Sequence, residues 1–482
     1  MKSVSASIGS RVAYVTFTPA NWIVMIVFIA ALSLFSMNAY LTFAALVCLP
    51  LFASSLWRIG EPPILFFAVS FQWLQASAKI FDANIRGLTL QDYYVGWRID
   101  DAIWLNLIGL VVLSIGTRVS LRHFDRDKSI DLAREVASMS IQKIWYAYLA
   151  FVLFSLLAQN YIWIFPRLSQ IMLALLNFKW VLFFLLAMVV LGQRQKLQWL
   201  LLAILIELLI GFTGFFAGFK QVFFVLVLVY LTYIKVYTKK VILLSLLAVI
   251  VLGYMMVIWS AVKTEYRDYV NLGTGKQRVL VNVEERLDKI VELYTSVDAE
   301  MFYTGIESLA KRVAYVDYFA RVLERVPGNV PHEEGKLWGS AIGHVIQPRL
   351  FFPDKSVLLS DTVFTEKYTG YQLIRQGGRD TTVPLGYMTE SYIDFGPVYM
   401  YVPIFLIGFL WGLMYRYFLG TSTEVVFGYG IAVAVLINAN QLEISATKLV
   451  GAILMGFIAM ALLQKLFVPT VHKAFRVDEK PV

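Results

Sequence analysis

Cysteine is almost absent from this chain, and charged residues are scarce. A single cysteine, Cys48, occurs among 482 residues, which excludes an intramolecular disulfide framework and a cysteine-based metal site. The histidines are spread along the chain without the spacing of metal ligands: His123, His332, His344 and His472. The sequence contains no Walker motif and no dinucleotide fingerprint. We therefore expect neither a metal nor a cofactor.

Apolar residues, in contrast, dominate the composition. Hydrophobic residues make up 59% of the chain, only 16% are charged, and the mean hydropathy is +0.67. A soluble domain cannot bury that much apolar surface. The sequence therefore predicts an all-α, polytopic membrane protein, with apolar runs long enough to cross about 30 Å of hydrocarbon. We place about twelve spans, at roughly 20–36, 39–57, 63–80, 102–121, 144–162, 176–192, 197–215, 220–236, 241–260, 397–416, 424–441 and 446–467. Pro166, Arg167 and Gln170 indicate a short broken or re-entrant piece at 164–176.

The basic residues predict the orientation of these spans. Lysine and arginine concentrate in every second loop, and the cluster between Arg118 and Lys143 is the densest. Because cytoplasmic loops carry the excess of basic residues, we expect both termini in the cytoplasm. The predicted units are an N-terminal bundle of about nine helices (1–260), a large external loop (261–396), about three C-terminal spans (397–467) and a basic cytoplasmic tail (468–482). The cytoplasmic segment 122–143 is too short for a nucleotide-using domain, so any chemistry is expected outside, without ATP.

Several cationic side chains of the external side are candidate ligands for an anion. Arginine presents a planar fork of donors that suits phosphate and pyrophosphate. The candidates are Arg312, Arg321, Arg349, Arg375, Arg379 and, at an external helix start, Lys220. Ordinary explanations remain open for two of them, namely an ion-pair role on a solvated helix face for Arg321 and a contact with lipid headgroups for Arg349.

Two carboxylates and one histidine are candidates for proton transfer or for structural roles. Glu390 and Asp394 are four residues apart, so a helix places them on one face. Carboxylates near a bilayer are costly unless they are paired or act as acid or base. The alternative for Glu390 is a helix cap or an ion pair with a loop arginine. His344 could act as a base or remain a hydrogen-bonded structural residue.

Two phrases before the late spans carry a family resemblance. They are "PRLFFPDK", with Pro348, Arg349, Pro353 and Lys355, and "GYMTESYIDFG", with Gly386, Glu390, Tyr392, Asp394, Phe395 and Gly396. With about a dozen spans and one large external loop, the chain resembles the Wzy-type O-antigen and exopolysaccharide repeat-unit polymerases. Lys220 matches a family position where arginine is commoner, and Asp394 one where asparagine is frequent.

This resemblance implies a GT-C-like fold and a metal-independent inverting glycosyltransferase of the bacterial inner membrane. Its substrates would be undecaprenyl-pyrophosphate-linked oligosaccharide repeat units at the periplasmic face, and undecaprenyl pyrophosphate would be released. A chain-length regulator would be a possible partner. The implied reaction needs cationic side chains for the leaving group and a base for the acceptor hydroxyl; Glu390, His344 and Asp380 are the candidate bases. An O-antigen ligase-like transfer, a lipid-linked oligosaccharide transporter and a scaffold of a polysaccharide machine remain the alternatives.

Overall fold

The chain folds as helices, as its apolar periodicity predicts. The computed structural model describes residues 15, 18–93, 97–122, 132–161, 169–214, 218–233, 239–274, 279–313, 315–347, 352, 360–373 and 383–476. Within these ranges the only β-type pairing is an isolated antiparallel bridge between Met139 and Arg476. A membrane favours this outcome because a helix satisfies its own backbone hydrogen bonds.

The helices of the N-terminal half alternate long apolar segments with short connections. They are α1 Pro19–Leu34, α2 Ala39–Leu56, α3 Ile64–Ile85, α4 Leu90–Tyr93, α5 Ile99–Ser120, α6 Leu132–Ala137, α7 Ile141–Tyr161, α8 Ser169–Leu176, α9 Phe178–Gln193, α10 Leu197–Thr213, α11 Lys220–Tyr233 and α12 Lys239–Val270.

The second half carries shorter amphipathic helices before the last apolar ones. They are α13 Val283–Thr295, α14 Ala299–Val313, α15 Val316–Arg325, α16 Lys336–Ile346, α17 Asp361–Thr369, α18 Tyr387–Tyr399, α19 Tyr401–Thr421, α20 Val425–Leu436, the 3-10 helix Ile437–Asn440, α21 Ala446–Leu466 and α22 Val468–Phe475.

Among the described residues, seven helical segments are long and apolar enough to cross a membrane, so the protein is a multi-pass membrane protein. They are Ala39–Leu56, Ile64–Ile85, Ile99–Ser120, Ile141–Gln159, Ser169–Gln193, Tyr401–Thr421 and Ala446–Thr470. Four more predicted spans correspond to shorter apolar helices, namely Pro19–Leu34, Leu197–Thr213, Lys220–Tyr233 and Val425–Asn440. The twelfth, 241–260, falls within α12, which is in neither group. The count of twelve therefore stays a prediction.

One predicted boundary differs from the structure. The sequence indicated a short broken piece at 164–176, but α8 and α9 together form one candidate span, Ser169–Gln193. Residues 162–168 lie outside the described part of the chain, so the structure does not describe Pro166 or Arg167. Gln170 lies inside the first turn of α8 without ending it. One polar side chain in a first turn costs an apolar helix little, so the span extends further than the sequence indicated.

Helices α5 and α19 pack closely through glycines. Gly408 and Gly412 on α19 form a G-x-x-x-G pattern, which brings one helix face close to a partner. A Cβ at Gly408 would lie 2.0 Å from the Leu113 carbonyl oxygen, and one at Gly412 would lie 2.7 Å from that of Thr117. Gly116 on α5 matches them, since its Cβ would lie 2.3 Å from the Phe405 carbonyl oxygen. This backbone contact fixes the position of α19, which directly follows α18.

The helices after α14 share a core with the membrane-spanning bundle. Val316, Phe319 and Leu323 of α15 are buried in the same hydrophobic cluster as α3 and α5. An ion pair reinforces this junction, because Lys79 Nζ of α3 lies 2.6 Å from Asp317 Oδ2 of α15. Helix α15 is therefore anchored directly on the membrane-spanning helices α3 and α5.

The orientation can be tested by cysteine labelling. In a Cys48→Ala background we expect a membrane-impermeant maleimide to label Gly328→Cys, on the exposed turn after α15, in intact spheroplasts. The control Ser138→Cys, exposed after α6 at the other end of the bundle, should label only after permeabilisation. The reverse pattern would place the large loop in the cytoplasm.

Candidate functional site

The phrase "TESYIDFG" forms most of α18, and its two carboxylates each cap another helix. Glu390 Oε2 accepts the backbone N–H of Ala446 at 2.9 Å, at the start of α21. Asp394 accepts two N–H groups at the start of α16, with Oδ1 3.1 Å from Leu337 N and Oδ2 2.8 Å from Trp338 N. Helix N-termini attract negative charge because their first N–H groups lack intrahelical partners. The capping alternative from the sequence is therefore confirmed for Glu390.

The remaining side chains of this phrase also anchor α18 to its surroundings. The Tyr387 hydroxyl donates to Gln72 Oε1 of α3 at 2.8 Å, and Ser391 Oγ accepts the Trp338 indole N–H at 3.0 Å. The Tyr392 hydroxyl donates to the carbonyl of Val326 at 3.0 Å. Because all three side chains are buried and hydrogen-bonded, α18 has a single position relative to α3 and α16.

Gly396 and Pro397 break α18 after this phrase, and a backbone carbonyl beside the break has hydrogen-bond partners outside the helix. Gly396 has φ 72° and ψ −175°, a conformation that favours glycine, and Pro397 follows it. The carbonyl of Ile393 accepts Glu333 N–H at 3.0 Å and lies 3.1 Å from His332 Nδ1. The break therefore separates the segment of α18 that carries Glu390 and Asp394 from the membrane span α19.

Around Glu390 lies a group of polar side chains that we call the acid–base cluster: Glu390, Asp361, Glu443, Lys448 and Tyr315. Lys448 of α21 forms an ion pair with Asp361 at the start of α17. The half-buried Tyr315 donates its hydroxyl to the carbonyl of Pro384. The charges of Glu443, Asp361 and Glu390 all help to raise the pKa of Tyr315, after burial, which is the main cause. These side chains therefore share one electrostatic environment.

The carboxyl group of Glu390 is suited to proton transfer. Burial raises its pKa to about 8, the charges of Asp361 and Asp394 act in the same direction, and the Ala446 N–H and Lys448 oppose them. Within the part of the chain that the structure describes, Oε2 holds the Ala446 N–H and Oε1 accepts no hydrogen bond. A carboxylate with one fixed oxygen, one available oxygen and a pKa near neutrality has the properties of a general base.

This raised pKa predicts how stability depends on pH. Because the folded-state pKa is about 8 and the ordinary value is 4.5, the stabilising contribution of protonated Glu390 is full below pH 4.5 and is lost as pH rises through 8. Glu390→Gln cannot ionise, so it does not lose this stability. The melting temperature of the variant minus that of wild type should therefore increase from about pH 5 to pH 9. Thermal unfolding in detergent measures this difference. Glu300→Gln, at an exposed position of α14, is the control and should show no such trend.

Arg321 has a structural environment. Its Nε donates to the carbonyl of Thr369 at 3.0 Å, its Nη1 lies 2.7 Å from Glu324 Oε2, and its guanidinium lies 5.6 Å from the ring centre of Tyr371. Arg321 therefore joins α15 to the end of α17. Its ion-pair partner Glu324 is largely buried, which differs from the solvated helix face that the sequence left open. An anion role for it stays a prediction.

Arg325 is a further arginine at this place, which the sequence did not single out. It lies one turn after Arg321, and its guanidinium packs on Gly370, where an added Cβ would lie 2.7 Å from Nη1. Its buried Nε donates to no hydrogen-bond partner within the described ranges. Arginine suits an oxyanion because its planar fork offers several N–H donors. The i to i+4 spacing from Arg321 was the available signal in the sequence.

The structure places the remaining candidates as follows. Lys220 is the first residue of α11, as predicted, and His344 lies half-buried on α16. Arg349, Arg375, Arg379 and Asp380 lie outside the described residues, as does the side chain of Arg312 on α14. No group of three or more histidine, cysteine or acidic side chains within the described ranges could hold a metal ion.

The cluster and the arginines lie at the two ends of one short helix. Asp361, beside Lys448, begins α17, and Thr369, beside Arg321, ends it. Nine residues at 1.5 Å per residue separate these ends by roughly 13 Å. The acid–base cluster and the two arginines therefore lie roughly 13 Å apart along α17.

Comparison with known proteins identifies a family without an assigned activity. A family model described as Domain of unknown function (DUF8712) matches residues 128–472, well over half of the chain. The protein therefore belongs to this family. Searches of curated proteins and of solved structures gave no match. The matched region contains Glu390, Asp394, Arg321 and Arg325.

Proposed function

We propose that this protein polymerises lipid-linked oligosaccharide repeat units, as the resemblance to the Wzy-type polymerases implies. The observation that carries the proposal is Glu390, which has one oxygen on a helix N-terminus and the other available, and whose pKa is raised to about 8. The enzyme would be a metal-independent inverting glycosyltransferase with a GT-C-like arrangement of about twelve spans. It would act at the periplasmic face of the bacterial inner membrane, with both termini in the cytoplasm.

The reaction uses the two ends of α17 differently. Glu390 Oε1 takes the proton of the acceptor hydroxyl, and the acceptor oxygen bonds to the anomeric carbon of the donor sugar with inversion. The bond from that carbon to the pyrophosphate oxygen breaks, and undecaprenyl pyrophosphate leaves with the electron pair. Negative charge grows on the leaving group in this step, so a nearby guanidinium stabilises the transition state. Arg325 supplies such a group from the described residues.

Other residues keep the roles that the resemblance implies. Arg349 is the motif arginine for pyrophosphate, and Arg312, Arg375, Arg379 and Lys220 are further candidates on the same side of the membrane. His344 and Asp380 are the alternative bases if Glu390 acts only as a cap. The partners of the reaction are the glycan donor and acceptor, both on undecaprenyl pyrophosphate, together with membrane lipids. The resemblance also implies a chain-length regulator.

The proposal is tested with purified protein in lipid and an undecaprenyl-pyrophosphate-linked repeat unit from the same cell. With no nucleotide and no metal added, we expect a ladder of products spaced by one repeat unit. Product formed only with a second acceptor lipid would identify a ligase. Absence of product under both conditions, with correctly folded protein, would contradict both enzyme proposals and favour a transporter or a scaffold.

Arg325 provides a prediction specific to this structure. Arg325→Ala should reduce ladder formation by roughly a hundredfold or more, the range seen when one donor to a developing oxyanion is removed. Arg325→Lys should recover little of the lost ladder formation, because an ammonium group lacks the planar fork of donors. Gel analysis of labelled products at equal protein measures this loss.

A control separates binding from folding. Arg286→Ala removes another arginine of the large loop, whose Nη1 donates to the carbonyl of Thr213 at 2.6 Å. If thermal unfolding shows that the two variants are equally well folded, Arg286→Ala should still form the ladder of products. A normal ladder from Arg325→Ala would remove Arg325 from the site.

A further inference from the structure

A concave apolar groove lies at the end of the bundle opposite to Glu390. Its volume is about 340 Å³, and α7, α9 and the segment after α21 line it, with Ala147, Ala150, Phe151, Leu182, Phe467 and Phe475 among the lining residues. This volume falls in the range of roughly 300–1,000 Å³ that small-molecule sites occupy. The groove starts beyond the C-terminal end of α21, whereas Glu390 caps the N-terminal end of that helix. It is therefore separate from the acid–base cluster.

The wall on α7 is a continuous helical stripe that ends in a lysine. Ala147, Ala150, Phe151 and Phe154 follow the 3-4 spacing of one helix face, and Lys143 lies on that face one turn before Ala147. The small alanines leave space between the aromatic rings. An extended hydrocarbon chain along this stripe would meet only apolar atoms until it reached Lys143.

The opposite wall is held in place by the backbone of the chain's last described residues. Ser140 N–H donates to the carbonyl of Phe475 at 2.7 Å, and Lys143 Nζ donates to the carbonyl of Arg476 at 3.1 Å. The Phe178 and Phe467 rings meet edge to face, 5.8 Å apart. The groove is therefore formed by fixed elements and stays open between them.

Basic residues adjoin the lining of the groove along the chain. Lys143 lies at one side, and Lys473, an exposed residue, immediately precedes the lining residues Ala474 and Phe475 on the other. Arg476 also lies here, and its guanidinium pairs with Glu424 at 2.9 Å, which neutralises that carboxylate. An apolar channel with cationic side chains at its mouth complements a lipid whose headgroup is anionic.

We propose that this groove binds one anionic phospholipid, with an acyl chain along the α7 stripe and its phosphate at Lys143 and Lys473. The lipid would hold the C-terminal segment against α7. It is not a substrate, because it lies at the other end of α21 from the acid–base cluster.

Native mass spectrometry of protein purified with equal amounts of phosphatidylglycerol and phosphatidylcholine tests the proposal. We expect wild type to retain one phosphatidylglycerol in preference to phosphatidylcholine. Ala150→Trp fills the groove and should abolish this retention. The matched control Ala31→Trp makes the same change on an exposed face of α1 and should leave it unchanged.

The headgroup contact is tested separately. Lys473→Gln should lower the preference for phosphatidylglycerol by roughly fivefold, the factor that one surface lysine provides at an anionic lipid. Adding Lys143→Gln should lower it further by a similar factor. Equal retention of the two lipids by wild type, or unchanged retention by Ala150→Trp, would overturn the proposal. Because bound lipid is counted directly, a failure here is distinct from a failure of polymerase activity.

Discussion

Glu390→Gln should lower the rate of repeat-unit transfer by roughly 10²- to 10⁴-fold, the contribution that a positioned general base makes. Glutamine has nearly the same shape, and its side-chain oxygen can still accept the Ala446 N–H that Glu390 Oε2 accepts at 2.9 Å. The substitution therefore removes the proton acceptor and keeps the helix cap. Single-turnover transfer on a bound lipid-linked donor measures the effect, and donor binding should change little.

The pH dependence gives a second readout for the same residue. Because the pKa of Glu390 is raised to about 8, the wild-type rate should rise with pH until the carboxyl group is deprotonated near that value. The residual rate of Glu390→Gln should lack this rise. A normal rate and an unchanged pH profile in the variant would leave Glu390 as a cap alone and direct attention to His344 and Asp380.

A control within the same helix separates capping from chemistry. Asp394→Asn keeps one acceptor oxygen for the two N–H groups of Leu337 and Trp338, so one of them loses its partner. Loss of a cap costs about 1 kcal/mol of stability. This variant should melt at a lower temperature than wild type, and its folded fraction should transfer at a near-normal rate.

Gly408→Ala should cause the largest loss of stability among single glycine changes in the spans. The new Cβ would lie 2.0 Å from the Leu113 carbonyl oxygen, so α5 and α19 must separate. The three nearest atoms all belong to the backbone of Leu113, so no flexible side chain can move aside to make room. Overpacking of this kind costs roughly 1–3 kcal/mol or more. Thermal unfolding in detergent, followed by size-exclusion chromatography, measures it.

The matched control is the same substitution in a neighbouring helix. At Gly456 of α21 the nearest atom to an added Cβ is Val435 Cγ1 at 3.7 Å, which is an ordinary contact. Alanine is also the better helix former, so Gly456→Ala should be neutral or slightly stabilising. Equal melting temperatures for the two variants would mean that α5 and α19 tolerate separation at Gly408.

Local sequence patterns predicted those features that depend on neighbouring residues. The apolar runs predicted a multi-pass helical membrane protein, and Lys220 begins α11. Glu390 and Asp394 lie one turn apart on α18, as their spacing predicted. Each of these features is encoded within a few residues, where periodicity and backbone preference decide the outcome.

Long-range partners could not be predicted in this way. Ala446 lies 56 residues from Glu390, and Trp338 lies 56 residues from Asp394. No local rule indicates which helix N-terminus a carboxylate will meet. Arg325 was missed because a charged residue on an amphipathic helix is usually solvated, whereas here the turn at Gly370 packs against it. Only the tertiary arrangement of α15 and α17 reveals its unused donor.

The capping of helices by distant carboxylates has a consequence for the order in which the protein assembles during synthesis. Glu135 accepts the N–H groups of Val425 and Val426, 290 and 291 residues later, at the start of α20. The partner of Glu390 is likewise synthesised later, because Ala446 is the first residue of α21. A chain emerges from its N-terminus onward, so these carboxylates leave the ribosome long before their partners. The acid–base cluster is therefore completed only after α21, the last long span, has been made and inserted.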